Sequence, residues 1–296
     1  MRSRPLPKAR FAAIILLLLV AGIVAFLAAC PPDSGRATGP AVTHGPPVPA
    51  SPLPQAVRTG PPVHPHPEKQ GMLAVIIDDA GYNLGELQAF LDLPGPLTIA
   101  VLPNLPHSRE AARRVLAAGK DLILHCPMEA TGGEDPGPGA LRTDQSPAEV
   151  DLRLAAAFAS VPGALGMNNH MGSRATADEA LMRTVLGFLR REGKLFVDSR
   201  TTADTVGPRL AGELGVPFLQ RDIFVDESTA GTDIAAAFSK GIAEARARGQ
   251  AVLIGHVQNK GVADILRAEE RNLSARGVRL ARLADVLGEK ERETAQ

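Results

Sequence analysis

The amino-acid sequence predicts an α/β fold: a distorted (β/α) barrel of about seven strands, preceded by an N-terminal membrane anchor or signal segment. From about Gly71 onward, short β-like runs alternate with amphipathic stretches, which is typical of βαβ units and a parallel sheet. Seven or eight such units within roughly 220 residues favour a barrel over an open sheet. The first 70 residues lack this alternation and differ in composition.

The predicted strands are short apolar runs separated by polar or turn-forming residues. They are Leu73–Ile77, Leu97–Leu102, Leu122–Leu124, Ala164–Met167, Leu195–Val197, Pro217–Leu219, Ala251–Ile254 and Val278–Leu280. The amphipathic stretches expected to form helices include Ser108–Ala118, Ala148–Ala159, Asp178–Arg191 and Ile234–Arg248. We therefore expect one domain over residues 71–290, followed by a short tail at 291–296.

Composition excludes two classes of function. The 296 residues include 32 Lys and Arg against 32 Asp and Glu, so the chain lacks the cationic surplus that nucleic-acid binding requires. Aromatic residues make up only 3% of the chain and Trp is absent, which argues against a stacking platform for single strands or a ring-lined glycan groove. We expect no nucleic-acid partner.

The N-terminus predicts the compartment. An uncharged apolar run, Phe11–Ala29, follows four basic residues, which is the pattern of a secretory signal or a membrane anchor. Basic residues keep their end cytoplasmic, so the rest of the chain is expected on the periplasmic side of the cell envelope. The end of the run, Leu27-Ala28-Ala29-Cys30, resembles a bacterial lipobox. Residues 1–30 are therefore either a lipoprotein signal ending at Cys30 or an uncleaved anchor, and both tether the protein to the membrane.

Residues 31–70 are rich in Pro, Gly, Ala, Ser and Thr and show no apolar period. Such a segment cannot bury enough surface to offset the entropy of ordering. We expect a disordered linker that holds the domain away from the membrane.

Charged, amide and imidazole side chains follow several predicted strands directly. In parallel α/β folds the functional groups collect beyond the carboxyl ends of the strands. In chain order these residues are Asp78, Asp79, His125, Asn168, Asn169, His170, Asp198, Arg200 and His256. Three of the four histidines in the domain occupy such positions, and this clustering predicts a functional site.

The pair Asp78-Asp79 is a costly arrangement to retain for structure alone, because adjacent carboxylates repel each other and burial raises their pKa values. A nearby cation would relieve both effects. The alternative is a helix N-cap, but Asn83 stands closer to the expected helix start and caps equally well. One carboxylate with two imidazoles suits Zn²⁺ or another borderline divalent ion. Three protein ligands leave a position for water, as a hydrolytic site requires.

These residues, in this order, resemble the divergent polysaccharide deacetylase family, which is related to the NodB-type carbohydrate esterases. The matching segments are Ile76–Gly81, His125–Glu129, Asn168–Ser173, Asp198–Thr201 and Gly255-His256. The resemblance implies a distorted (β/α) barrel and a metal-dependent hydrolase of amide bonds, with zinc as the expected metal.

The resemblance also implies roles for individual residues. Asp78 would be the catalytic base, His256 the catalytic acid, and Asp198 a residue that orients or tunes the site. Asp79 and His125 would be metal ligands. The family's usual second motif has a further histidine where this chain has Glu129, so the third ligand is either Glu129 or His170. We favour His170, because the strand order places it on the same rim.

Several smaller alternatives remain open from the sequence. Asn168 and Asn169 either bind substrate or satisfy backbone groups in a tight turn. Arg200 either neutralises an anionic substrate or pairs with Asp198 or Asp226. Cys126 follows His125 but should point to the opposite face of the strand, which predicts a buried, unreactive thiol.

The first functional hypothesis is an envelope-tethered, metal-dependent hydrolase that removes an N-acyl group, such as acetyl, from an amino sugar of an envelope glycan. The second is a non-catalytic binding or regulatory domain that retains the fold. A third is a metal-dependent amidase that acts on a peptide.

Overall fold

The computed structural model describes residues 70–227 and 234–294, and the side chains up to residue 289. The predicted anchor, residues 1–30, and the predicted linker up to residue 69 lie outside these residues. Within the described part of the chain, none of the helices combines the length and apolar character needed to cross a bilayer.

Within residues 70–227 and 234–294, nine strands form one sheet in which every ladder is parallel. They are β1 Gly71–Ala80, β2 Thr98–Val101, β3 Asp121–Met128, β4 Gly166–Met171, β5 Leu195–Asp198, β6 Phe218–Gln220, β7 Ile223–Phe224, β8 Gln250–His256 and β9 Val278–Leu280. Their order is β6-β5-β4-β3-β2-β1-β8-β7, with β9 paired separately to β1. All eight predicted strands are present, and the two-residue strand β7 was not predicted.

The sheet curls until its two ends are joined by consecutive residues of the chain. The Arg221 N–H donates to the Asp198 carbonyl at the end of β5, and the Asp222 N–H donates to the Val252 carbonyl on β8. Two consecutive residues therefore bridge β5 and β8, which are each second from an end of the strand order. The prediction of a distorted (β/α) barrel is confirmed.

The described residues form eight α-helices, of which seven connect strands and the last follows β9. They are α1 Leu84–Leu91, α2 Ser108–Ala117, α3 Pro147–Ser160, α4 Glu179–Arg191, α5 Gly207–Leu214, α6 Ile234–Arg248, α7 Lys260–Glu269 and α8 Leu283–Thr294. A short 3₁₀ helix, Ala175–Ala177, precedes α4. Asn83 caps α1 by accepting from the Gly85 N–H at 2.8 Å, so neither Asp78 nor Asp79 is needed as a cap. Helix α8 continues past residue 290, where the domain was expected to end.

Apolar residues form two layers, one on each face of the sheet. The outer layer lies between strands and helices and contains Cys126, which is 1% exposed. The inner layer contains alternate strand residues, among them Ile76, Ile123 and Ile254. Because strand side chains alternate with a period of two, the next residues on the inner face are Asp78, His125 and His256. The candidate site is thus the polar continuation of the inner layer at the carboxyl ends of the strands.

Candidate metal centre

A β-bulge at the end of β1 turns two adjacent carboxylates toward one histidine. The register between β1 and β2 shifts between Ile77 and Ala80, and Asp79 has a φ of +66°. In a regular strand Asp78 and Asp79 would point to opposite faces. Here Asp78 Oδ2 lies 3.7 Å and Asp79 Oδ1 lies 3.1 Å from His125 Nε2. A left-handed φ at a non-glycine residue costs about 1–2 kcal/mol, and such strain clusters at functional sites.

Three potential ligand atoms from three strands form a nearly equilateral triangle. His170 Nδ1, from β4, lies 3.1 Å from Asp79 Oδ1 and 3.1 Å from His125 Nε2. Asp79 Oδ1 is buried and has no partner in good hydrogen-bond geometry, although both ring nitrogens are close. The two ring nitrogens are within hydrogen-bond distance of each other, whereas the carboxylate oxygen faces both rings without a hydrogen bond, an arrangement that a shared cation would satisfy. Among the described residues, this is the group of acidic, His and Cys side chains that could hold a metal ion.

The triangle fits the predicted ion. Three ligands of a tetrahedral Zn²⁺ ion, each about 2.0–2.1 Å from it, lie about 3.3 Å apart. One carboxylate oxygen and two imidazole nitrogens are a donor set that Zn²⁺ accepts. The residues present thus fit a divalent metal on both geometry and chemistry.

Glu129, the alternative third ligand, lies away from this triangle. Its Oε2 atom accepts hydrogen bonds from the Thr143 N–H at 2.8 Å and from the Thr143 hydroxyl at 2.9 Å. Its Oε1 atom is 3.5 Å from Nε of Arg174. Glu129 is thus committed to the loops after β3 and β4, and the geometry favours His170 as the third ligand.

Asn168 joins the candidate base to a candidate ligand. Its Nδ2 donates to Asp78 Oδ1 at 2.8 Å, and its Oδ1 lies 2.8 Å from His125 Nδ1. Because the amide oxygen can only accept, His125 carries its proton on Nδ1 and leaves Nε2 free to bind a metal. This amide therefore fixes the tautomer of the ligand and one oxygen of the base at the same time.

His256 is held by a carboxylate that sequence reasoning did not connect with it. Asp226 Oδ1 lies 2.9 Å from His256 Nδ1, and Asp226 Oδ2 accepts from the His256 N–H at 2.9 Å. The Asp226 side chain is 1% exposed, whereas His256 is 36% exposed. His256 also stands beside Asp78 in the register of β1 and β8. Asp226 lies two residues after β7. A strand of only two residues shows no recognisable alternation, so the sequence did not indicate that Asp226 stands at a strand end.

Burial and neighbouring charges shift the pKa values of the site. Burial raises the pKa of Asp78, and the nearby His125 and the Asn168 hydrogen bond only partly offset this. For Asp79, burial also acts upward, but contacts with His125 and His170 hold its pKa far below the usual range. Burial opposes protonation of His256, yet the hydrogen bond and charge of Asp226 outweigh it and raise the pKa to about 9.

Asp198 lies at the end of β5 but contacts none of the three site histidines. Its Oδ1 accepts from the Arg200 N–H at 2.7 Å and its Oδ2 from the Thr205 hydroxyl at 2.6 Å. Asp198 was expected to orient or tune the site, and the carboxylate that contacts a site histidine here is Asp226. The placement gives Asp198 a role in shaping the loop after β5.

The two asparagines predicted to bind substrate are buried, with 0% and 1% of Asn168 and Asn169 exposed. Asn169 accepts from the Ser199 N–H at 2.8 Å and donates to the Met171 carbonyl at 2.6 Å. Their amides are occupied by protein groups, which favours the second alternative, satisfaction of backbone groups, for Asn169 and a positioning role for Asn168. Arg200 is exposed, and among the described residues its guanidinium forms no ion pair with Asp198 or Asp226.

Comparison with known proteins points to one family. A family model described as divergent polysaccharide deacetylase matches residues 75–287. An uncharacterized protein of Haemophilus influenzae is 38% identical over 204 residues, which are 69% of this chain and 72% of that protein. The uncharacterized protein YibQ of Escherichia coli is 35% identical over 190 residues, 64% of this chain and 60% of that protein.

The fold has a solved counterpart as well. The crystal structure of the uncharacterized protein ATU2773 from Agrobacterium tumefaciens C58 is similar, with a TM-score of 0.70 at 20% identity. The similarity covers 74% of this chain and 89% of that one. On the family match over residues 75–287, this chain belongs to the divergent polysaccharide deacetylase family.

Proposed function

We propose that this protein is a metal-dependent hydrolase of the cell envelope that removes an N-acyl group, such as acetyl, from an amino sugar of a glycan. Family membership supports a deacetylase-like hydrolase. The observation that carries the proposal is the meeting of Asp79, His125 and His170 beside a second carboxylate, Asp78.

Asp79, His125 and His170 would hold the divalent ion, with zinc as the proposed metal. When bound, such an ion supplies Lewis-acid chemistry, which polarises an acyl carbonyl and lowers the pKa of a water molecule. The chain contributes the orientation of the ligands. Asn168 fixes the tautomer of His125, and the bulge at Asp79 directs its carboxylate inward.

Asp78 is the proposed general base. One of its oxygens is held by Asn168, and the other lies 3.7 Å from His125 Nε2, at the edge of the ligand triangle. Burial raises its pKa, which makes the carboxylate a stronger proton acceptor than an exposed aspartate. Asp78 would take a proton from the water that attacks the amide.

His256 is the proposed general acid. With a pKa of about 9 it carries a proton at neutral pH, and Asp226 holds that charged ring from the side opposite Nε2. His256 would give its proton to the amine as the carbon–nitrogen bond breaks. The net reaction consumes water and yields a carboxylate and an amine.

The N-terminal segment supports the proposed location. A basic cluster followed by the apolar run Phe11–Ala29 would tether the domain on the periplasmic side, where envelope glycans are the accessible amino-sugar polymers.

Acetate release from N-acetylated glycan fragments by the purified full-length protein tests the proposal. We expect the protein to release acetate, a chelator to abolish this turnover and zinc to restore it. Asp78→Asn and His256→Ala should each reduce the turnover by at least about a hundredfold. His107→Gln, at an exposed histidine outside the site, is the matched control and should keep full activity. Absence of metal-dependent release from the wild type would instead favour the non-catalytic binding domain.

A further inference from the structure

A polar cleft of about 300 Å³ lies beside the candidate centre, at the seam where the barrel closes. Its lining residues are Arg200, Thr201, Thr202, Ala203, Arg221 and Asp222. Two guanidinium groups thus share one small cavity. The proposed metal binding and acid–base catalysis use neither of them, and the sequence left open whether Arg200 meets an anionic substrate or a carboxylate of the chain.

The guanidinium of Arg221 is held in place by neutral groups. Its Nε donates to the Ser199 carbonyl at 2.7 Å, and its Nη2 donates to the Arg200 carbonyl at 2.9 Å. Its plane lies over the ring of Phe224, 3.7 Å from the centroid. These two hydrogen bonds therefore orient the guanidinium without forming an ion pair.

Arg200 is presented to the cleft by a strained turn. Its φ is +49°, and its N–H is held by Asp198 at 2.7 Å. The side chain is exposed, and in residues 70–227 and 234–294 neither Arg200 nor Arg221 has an ion-pair partner. Three carboxylates, those of Glu227, Asp198 and Asp222, interact with the charge of Arg221 without forming an ion pair with it, and Asp222 pairs with Arg248 at 2.8 Å.

Two residues that adjoin the cleft, Ser199 and Phe224, link it to the proposed centre. Ser199, next to Arg200, lies with its hydroxyl 3.3 Å from Asn168 Nδ2, which in turn binds Asp78. Phe224, under Arg221, stacks on His256 with ring centroids 5.8 Å apart. The cleft is thus linked to the proposed centre through these two residues, and a glycan bound at the centre is expected to extend to the cleft.

We propose that the cleft between Arg200 and Arg221 binds an anionic oxygen group, a carboxylate or a phosphate, carried by the glycan next to the acylated amine. Paired guanidinium groups recognise such oxygens through charge-assisted, often bidentate, hydrogen bonds. The inference rests on the proposed function for its glycan, and it narrows the substrate class to acidic amino-sugar polymers.

Equilibrium binding tests the cleft independently of turnover. Full-length protein, kept inactive with a chelator, is titrated calorimetrically with three tetrasaccharides of equal length. One contains only N-acetylglucosamine, one alternates it with N-acetylmuramic acid and so carries carboxylates, and one carries 6-phosphates. We expect the wild type to bind at least one charged fragment about tenfold more tightly than the neutral one. The stronger of the two charged fragments identifies the anion.

Arg200→Gln should abolish that preference and leave neutral binding unchanged. Arg153→Gln, at an exposed arginine on α3, is the matched control and should retain it. Equal affinity for all three fragments, no binding of any of them, or an equal loss of neutral and charged binding in Arg200→Gln would overturn the proposal. A retained preference without acetate release from the metal-loaded protein would contradict the hydrolase and support the cleft.

Discussion

Asp79 Oδ1 and His125 Nε2 lie 3.1 Å apart, although β2 separates their strands in the sheet. The curl of the barrel and the bulge at the end of β1 together create this approach. A buried carboxylate and a buried imidazole at this distance need either a shared proton or a shared cation. With His170 Nδ1 at the same distance from both, a shared cation accounts for all three.

The choice of third ligand gives the first prediction. His170→Ala should weaken zinc binding by at least about a hundredfold, because a site with two protein ligands is left. Glu129→Gln should leave zinc affinity within about twofold, because Glu129 binds Thr143 rather than the site. Competition against a chromophoric chelator measures both. Similar losses in the two variants would contradict the assignment.

Asn168 provides the second prediction. Asn168→Ala leaves buried groups of His125 and Asp78 without a partner, so we expect a loss of about 1–3 kcal/mol in unfolding free energy. It should also lower zinc affinity about 10–100-fold, because residues that orient ligands contribute that much. Asn169→Ala removes an equally buried amide that touches neither residue. This control should lose stability but keep its affinity for zinc. Denaturation measures the stability and metal titration the affinity. An equal loss of zinc affinity in both variants would refute the role of Asn168.

The pair of His256 and Asp226 gives the third prediction, for pH. The raised pKa means that the acid is protonated below about pH 9 and loses its proton above it, so the rate should fall on the alkaline side near pH 9. Asp226→Asn removes the group that raises this pKa. The alkaline limb should then move to lower pH by about 1–2 units. A pH–rate profile with an unmoved limb in Asp226→Asn would exclude His256 as the acid.

Cys126 gives the fourth prediction. Burial raises the pKa of its thiol to about 12, and its side chain packs in the outer core. In a full-length Cys30→Ser background, a thiol reagent should react only after denaturation, because the thiolate is the reactive form. Cys126→Ala should retain full acetate release. Fast labelling of the folded protein, or loss of turnover, would restore the possibility of a functional thiol.

Site residues could be predicted from the sequence where the alternation of side chains along a strand continues from apolar residues into the polar residues at its carboxyl end. Ile76 and Asp78, Ile123 and His125, and the pair Ile254 and His256 follow this rule. It could not place Asp226, because β7 has only two residues. The contacts of Asn168 depend on the register between β3 and β4. The bulge at Asp79 involves no residue type that is typical of bulges. These features arise from tertiary pairing rather than from local pattern.

Anomalous diffraction at the zinc edge, from crystals of the zinc-loaded protein, tests the central claim most directly. We expect one strong peak about 2.0–2.2 Å from Asp79 Oδ1, His125 Nε2 and His170 Nδ1 together. A peak at Glu129, or no peak within reach of these three atoms, would contradict it.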